Sequence, residues 1–214
     1  GGYGGSYGEL KIGGIWLVSK SDSIYARVDG GEAQPLTTYV EDNQSALDRY
    51  KELVAELDEK NLEAAAIVDE LTVLYEFLAD EYKSQITAAE LAKVAEYTEA
   101  VKPYRPVFLG VSLKPQGAQT QAMKIGWTLN DAYIEGAGYT VVGGGAVVLA
   151  EEDYDGKSVI NEDTAGVKTA AARKTAEGYC GSVDVAVSEY TMPMLIRSYV
   201  VCKNNTTGQE VTVW

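Results

Sequence analysis

Residues 194–214, MLIRSYVVCKNNTTGQEVTVW, decide how the rest of the chain is read. Positions 194–202 are dense in branched and aromatic side chains, which suit a pleated strand. Positions 203–208, KNNTTG, are turn formers. From 209 an alternation resumes in which Val211 and Val213 point away from Glu210 and Thr212. The stretch therefore predicts a β-hairpin that closes a β-domain. Just upstream, 180–187 (CGSVDVAV) reads as another strand, with 188–193 as its connection to 194–202. If those two runs form an antiparallel hairpin centred on Thr191, Cys180 faces Cys202. A cross-strand disulfide would then close it, implying an oxidising compartment. Two free buried thiols are the alternative. Asn204 and Asn205 each open an N-x-T pattern, the form of a glycosylation acceptor, within the turn.

Working outward, 107–113, 123–129 and 139–150 are further strand candidates, the last kinked or bulged around Gly143-Gly144-Gly145. Positions 169–175 fit a short helix or a strand edge. Seven or so short strands separated by turn clusters predict an antiparallel β-sandwich. Positions 41–101 change character. Asp42 is placed to cap a helix starting near Gln44, with Leu47, Tyr50, Leu53, Val54 and Leu57 on one stripe. Asn61 caps a second helix carrying Ile67, Leu71, Leu74, Tyr75 and Leu78. Thr87-Ala88-Ala89-Glu90 opens a third as a capping box, with Leu91, Val94, Ala95 and Val101 inward, and Pro103 and Pro106 stop it. Before the helices, a Gly/Tyr-rich leader at 1–8 (GGYGGSYG) precedes strand-like runs at 9–18, 24–28 and 35–40, too small a meander to stand alone. The expected organisation is an α+β chain: 1–40 extension and meander, 41–103 three-helix bundle or insertion, 104–214 β-sandwich.

Several segments resemble a known class. Arg197-Ser198-Tyr199-Val200 with Gly208-Gln209-Glu210-Val211-Thr212-Val213-Trp214 is similar to the closing strands of β-domains in extracellular proteins of Gram-positive (Firmicutes-type) bacteria, and Gly138-Tyr139-Thr140-Val141-Val142-Gly143 resembles an earlier strand of the same domains. Positions 74–87 (LYEFLADEYKSQIT) resemble the helical spacer found beside them, departing from it at Thr87-Ala88. The resemblance implies non-catalytic modules, an Ig-like β-domain plus a small helical spacer, on a bacterial cell surface.

Composition narrows the chemistry. The chain has 214 residues, 32 acidic against 18 basic, and no histidine. A net charge of −14 argues against sequence-independent binding to nucleic acid or anionic lipid. No apolar run is long enough for a membrane span. The beginning, with neither Met nor a signal pattern, reads as a mature chain or a fragment. Lacking histidine, the chain lacks the commonest general base and metal ligand, and no carboxylate pair is singled out by spacing. Glu41, Asp48, Glu52, Glu56 and Glu59 read as the solvated side of the first helix. Glu151, Asp153, Asp155, Gly156 and Glu162 have the spacing of an EF-hand loop for Ca²⁺, although Glu opens it and its flank is strand-like; an acidic hairpin loop is the plainer reading. Trp16, Trp127 and Trp214 among many tyrosines invite a glycan-binding reading.

Together these features predict a secreted, structural or interacting protein, not an enzyme. The sharpest form is a homo-oligomer or polymer, an extracellular filament or surface layer, in which residues 1–18 add a strand to a neighbour's open sheet edge. Tyr3, Tyr7, Leu10, Ile12 and Trp16 would be the contacting side chains. The alternatives are a monomeric adhesin or carbohydrate-binding module, and an accessory domain of a secreted enzyme.

Overall fold

The computed structural model describes residues 9–12, 15–20, 23–28, 34–115, 120–156, 158–189 and 192–214. Their fold is α+β with antiparallel sheets. Strands β1 (Glu9–Ile12), β2 (Ile15–Lys20), β3 (Ser23–Val28) and β4 (Gln34–Pro35) make one sheet in sequence order. The third strand expected at 35–40 is only these two residues. Pro35 fixes the entry to a helix, and α1 runs Leu36–Glu56, eight residues earlier than the Asp42 cap predicts. On α1, Tyr39, Asn43, Ala46, Leu47, Tyr50, Leu53 and Val54 are buried, a three-and-four spacing that turns one stripe inward.

Asn43 is a buried polar group with both ends used. Its amide donates to the Tyr39 carbonyl and its Oδ1 accepts from the Ala79 N–H, each at 2.9 Å, which ties α1 to the turn after α2 (Ala64–Phe77). Asn61 Oδ1 accepts from Ala64 N at the start of α2, as its position suggests. After the single turn α3 (Asp80–Lys83), the capping box forms with both halves in place: Thr87 accepts from Glu90 N, and Glu90 accepts from Thr87 N. It opens α4 (Ala88–Val101). There Tyr97 and Val101 are the buried positions, while Leu91 and Ala95, expected inward, face solvent.

Beyond a 3-10 turn at Lys102–Tyr104 lie eight strands and one short helix: β5 (Val107–Pro115), β6 (Thr120–Thr128), α5 (Asp131–Gly136), β7 (Tyr139–Ala150), β8 (Lys168–Ala171), β9 (Arg173–Thr175), β10 (Gly178–Ala186), β11 (Met194–Asn204) and β12 (Glu210–Val213). They form two sheets, ordered β5-β6-β10-β9 and β12-β11-β7-β8. A shared core joins them: Met123, Ile125, Trp127, Val183 and Val185 from the first meet Ala146, Val148 and Ala170 from the second. A second cluster gathers the helices' apolar stripes and extends from Ala26 on β3 to Val200, Cys202 and Val213 on β11 and β12.

This topology overturns the cysteine pairing. β10 and β11 are consecutive but belong to different sheets. Cys180 pairs in register with Gly126 and Arg173, Cys202 with Val211 and Val141, and both thiols are free. The connection at 188–193 crosses between layers instead of turning a hairpin. The argument for an oxidising compartment that rested on the disulfide falls with it. Burial pushes the Cys202 thiol up to about 11, so it stays protonated and inert at neutral pH.

Candidate functional site

Sheet-edge strand β5 carries the most unusual surface. Among the described residues ten large apolar side chains are exposed, and five stand on this one strand: Val107, Phe108, Leu109, Val111 and Leu113. Register shows why this matters. Phe108, Val111 and Leu113 lie opposite Trp127, Ile125 and Met123 on β6, so each pair points to one side of the sheet, the core side. Yet the β6 partners are 0%, 0% and 9% exposed, and the β5 residues are 53%, 48% and 44% exposed. The core between the sheets is thus uncovered along β5.

The facing sheet explains the gap. Its edge strand β12 has four residues and pairs only with Val200, Val201, Cys202 and Lys203 of β11. From Met194 to Tyr199, β11 pairs with β7 on one side, and on the other no strand is hydrogen-bonded to it among the described residues. Met194 and Ile196 on this length are only partly buried. Ser198, on the same side as both, holds a buried hydroxyl with no hydrogen-bond partner among the described groups. Connectivity places β11's first residues, reached from Ala186, at the end of the layers where β5 finishes at Pro115 opposite Gln121. The missing length of the β12 edge therefore corresponds to the uncovered half of β5, Val111 to Leu113.

The opposite side of the same hairpin is apolar at one end, where Val107 and Leu109 are exposed, and polar towards the other. Ser112, Lys114 and Lys124 point outward, beside Arg173 and Ser182. Contact with Lys114 pushes the Lys124 ammonium below its ordinary value. Between Glu99 and Asp131 the sequence contains no acidic residue at all, in a chain with 32 of them. Nothing anionic has been placed along this edge.

A second concavity, about 550 Å³, lies between α2, the end of β12 and the loop after β7, lined by Asp69, Glu70, Leu74, Asn161 and Trp214 among others. Its polar centre is structural. Arg105 reaches Asp69 at 2.6 Å and the Trp214 carbonyl at 2.5 Å, and Arg197 reaches Asp69 at 3.1 Å and the Ile160 carbonyl at 3.0 Å. Burial pushes the Asp69 carboxyl above its ordinary value, while two guanidiniums at contact distance pull the other way. Both cations are spent on joining helix to sheet.

The residues singled out in the sequence do not converge. Glu151 and Asp153 sit on an exposed 3-10 turn. Asp155 turns back to accept from the Ser158 N–H and hydroxyl at 2.9 and 2.6 Å, and Glu162 accepts from the Tyr199 hydroxyl. Among the described residues no three acidic, cysteine or histidine groups form a metal cage. Local capping engages Asp155 and a tyrosine engages Glu162, so the carboxylates that share the loop spacing are not drawn together. Trp127 is fully buried, and Trp214, on the wall of the concavity, packs on Tyr199 with Arg197 over its ring. Leu10, Ile12 and Trp16 lie on strands paired within the chain, Leu10 with Leu17 and Ile12 with Ile15 across β1 and β2. Residues 9–12 and 15–18 are therefore paired with one another and not a free strand, and the side chains of those three are outside the described part. Tyr3 and Tyr7 lie outside the described residues. Phe108, Val111 and Leu113 were legible only as strand formers; the signal for their exposure was the apolar-rich run 107–113, broken only at Gly110 and Ser112, inside an acid-free stretch. No protein-family model, no curated protein and no solved structure matches the chain.

Proposed function

We propose that this protein is a structural subunit of an assembly on the bacterial cell exterior, a filament or surface layer in which copies join by pairing at a sheet edge. The observation that carries the reading is the β5 edge, where core-side apolar residues stand half exposed on a strand with no outer partner among the described residues. Soluble proteins ordinarily blunt such an edge, and β5 has only Lys114 and Pro115 at its end to do so. An exposed apolar strand edge otherwise marks a site of association.

In this reading the body is an Ig-like β-sandwich carrying a three-helix bundle. The strand orders support it. Lettered along the chain from β5, the sheets read A-B-E-D and G-F-C-C′, the order an Ig-like arrangement takes when one extra strand joins its second sheet. The exterior location rests on the resemblance of 197–200, 208–214 and 74–87 to surface-protein modules. A non-catalytic role fits a histidine-free sequence in which the polar centre of the cleft at Asp69 is filled by its own ion pairs.

Light scattering across a concentration series, with electron microscopy of the same material, tests the reading. Mass growing with concentration and ending in fibres or sheets is the expected result. A single monomeric mass at every concentration, with bare grids, overturns it in favour of a monomeric adhesin or binding module.

A further inference from the structure

Resting on that reading, we propose that the strip between β5 and the open edge of β11 is an acceptor slot, and that its occupant is residues 1–8 of a second copy of this chain. Three properties of the slot define what fits. It is bordered by strand backbone on the β11 side, where Met194 to Tyr199 have no outer strand partner among the described residues, so the occupant must be extended to use those hydrogen-bonding groups. It is floored by Phe108, Val111 and Leu113, so the occupant must bring apolar area. It continues the core over fully buried Ile125 and Trp127, so a charged occupant would meet a desolvation cost.

Within this chain the leader GGYGGSYG meets all three. It contains no charged side chain, whereas the next strand, β1, carries Glu9 and Lys11. When extended, Tyr3 and Tyr7 fall on one face, four residues and roughly 13 Å apart, so both rings can be laid into one groove. Glycines at 1, 2, 4, 5 and 8 let the backbone come close to the β11 edge without a Cβ in the way. Eight extended residues span roughly 26 Å, comparable with the nine-residue β5 they would lie along. The tyrosine hydroxyls and Ser6 are also the kind of group that the unpartnered Ser198 hydroxyl lacks. Because residues 9–12 and 15–18 are folded into their own sheet, the donor segment in this sequence lies ahead of Glu9.

A donor at one end and an acceptor on another face give a head-to-tail contact that propagates. The test separates the two halves. One variant lacks residues 1–8 and keeps the slot; another, Leu113→Arg, keeps the leader and blocks the slot. Val111→Lys serves as a second blocker, and since both sites are half exposed, circular dichroism should show each variant folded. Binding of a synthetic GGYGGSYG peptide to the leaderless variant is read by tryptophan fluorescence.

The expected results are an assembling wild type and two variants that are each monomeric alone. Mixed, the variants should form a closed one-to-one pair, and either slot substitution in the leaderless background should weaken peptide binding at least tenfold, on the order found for central interface anchors. Wild-type protein that assembles as well without residues 1–8 overturns the leader as donor while leaving the assembly reading intact. A monomeric wild type whose leaderless form binds the peptide through Leu113 shows the slot filled by its own chain and overturns the second copy. A monomer that binds no peptide overturns both.

Discussion

Gly145 sits between β8 and β11, where both paired strands close on the chain. A Cβ there would lie 2.4 Å from the Ala170 carbonyl oxygen and 2.8 Å from the Tyr199 hydroxyl, whose ring crosses the glycine from the paired strand. Gly143, two residues earlier, would meet nothing nearer than 3.7 Å. Gly145→Ala is therefore expected to destabilise by roughly 1–3 kcal/mol, as overpacking does, and Gly143→Ala by no more than about 0.5 kcal/mol; urea unfolding of the two variants side by side checks the contrast. The run of three glycines is legible in the sequence as an irregularity. Its cause is not, because the ring that needs the space comes from 54 residues away in sequence, a subtraction of the paired positions Gly145 and Tyr199. The same holds for the phenols. Tyr39 donates to Glu81 at 2.9 Å, Tyr179 to Asp131 at 3.0 Å, and Tyr139 to Glu63 at 2.5 Å, with burial first and the carboxylate second pushing each hydroxyl above its ordinary value. In a chain without histidine, tyrosine supplies the neutral donors that buried acids require.

The best-read element is α4, since its start is written in four adjacent residues and needs no tertiary partner. Hydrogen bonds from the Thr87 backbone and hydroxyl hold the Glu90 carboxyl below its ordinary value. A depressed carboxyl stabilises the fold above its unfolded pKa and loses that contribution as pH falls through its folded one. Thr87→Ala should cost about 1 kcal/mol at neutral pH. Glu90→Gln should show its deficit against wild type at pH 7 and lose most of it near pH 3, measured by thermal melts at both; a deficit that grows in acid would contradict the sign. Other elements were harder to read for nameable reasons. α1 begins at Leu36 because Pro35 and the preceding sheet set its entry, overriding the Asp42 signal. β10 and β11 look like a hairpin because they are adjacent strands of similar length, and nothing in either states that the chain changes layer between them. The exposed face of β5 hid for a related reason: apolar residues announce a core, and only the short length of β12, 95 residues further on from Pro115 to Glu210, leaves that core uncovered.

At the scale of the whole molecule, charge is distributed unevenly. Glu41, Asp48, Glu52, Glu56 and Glu59 crowd the exposed side of the helical segment, while the β5–β6 hairpin holds no acid. The ion pairs that offset this are mostly at the surface, as with Arg49 between Glu52, Glu56 and Glu70, and contribute little each. With a net charge of −14, self-repulsion outweighs them. The melting temperature should therefore rise as salt goes from about 10 mM to about 150 mM, over which the screening length falls from about 30 Å to about 8 Å. A fall would mean that the pairs dominate. The α+β class and nearly every strand of the last half were legible from periodicity; the division into layers was not, because it depends on which strands pair.

One cluster of side chains runs from Ala26 through all three long helices to Val213. Tension applied between the two ends of this polypeptide would thus meet the same packed centre from both directions. Neither the first sheet nor the last hairpin can be peeled away without breaking into it. Pulled in this way, the fold should give way in one step, as a link does and a spring does not.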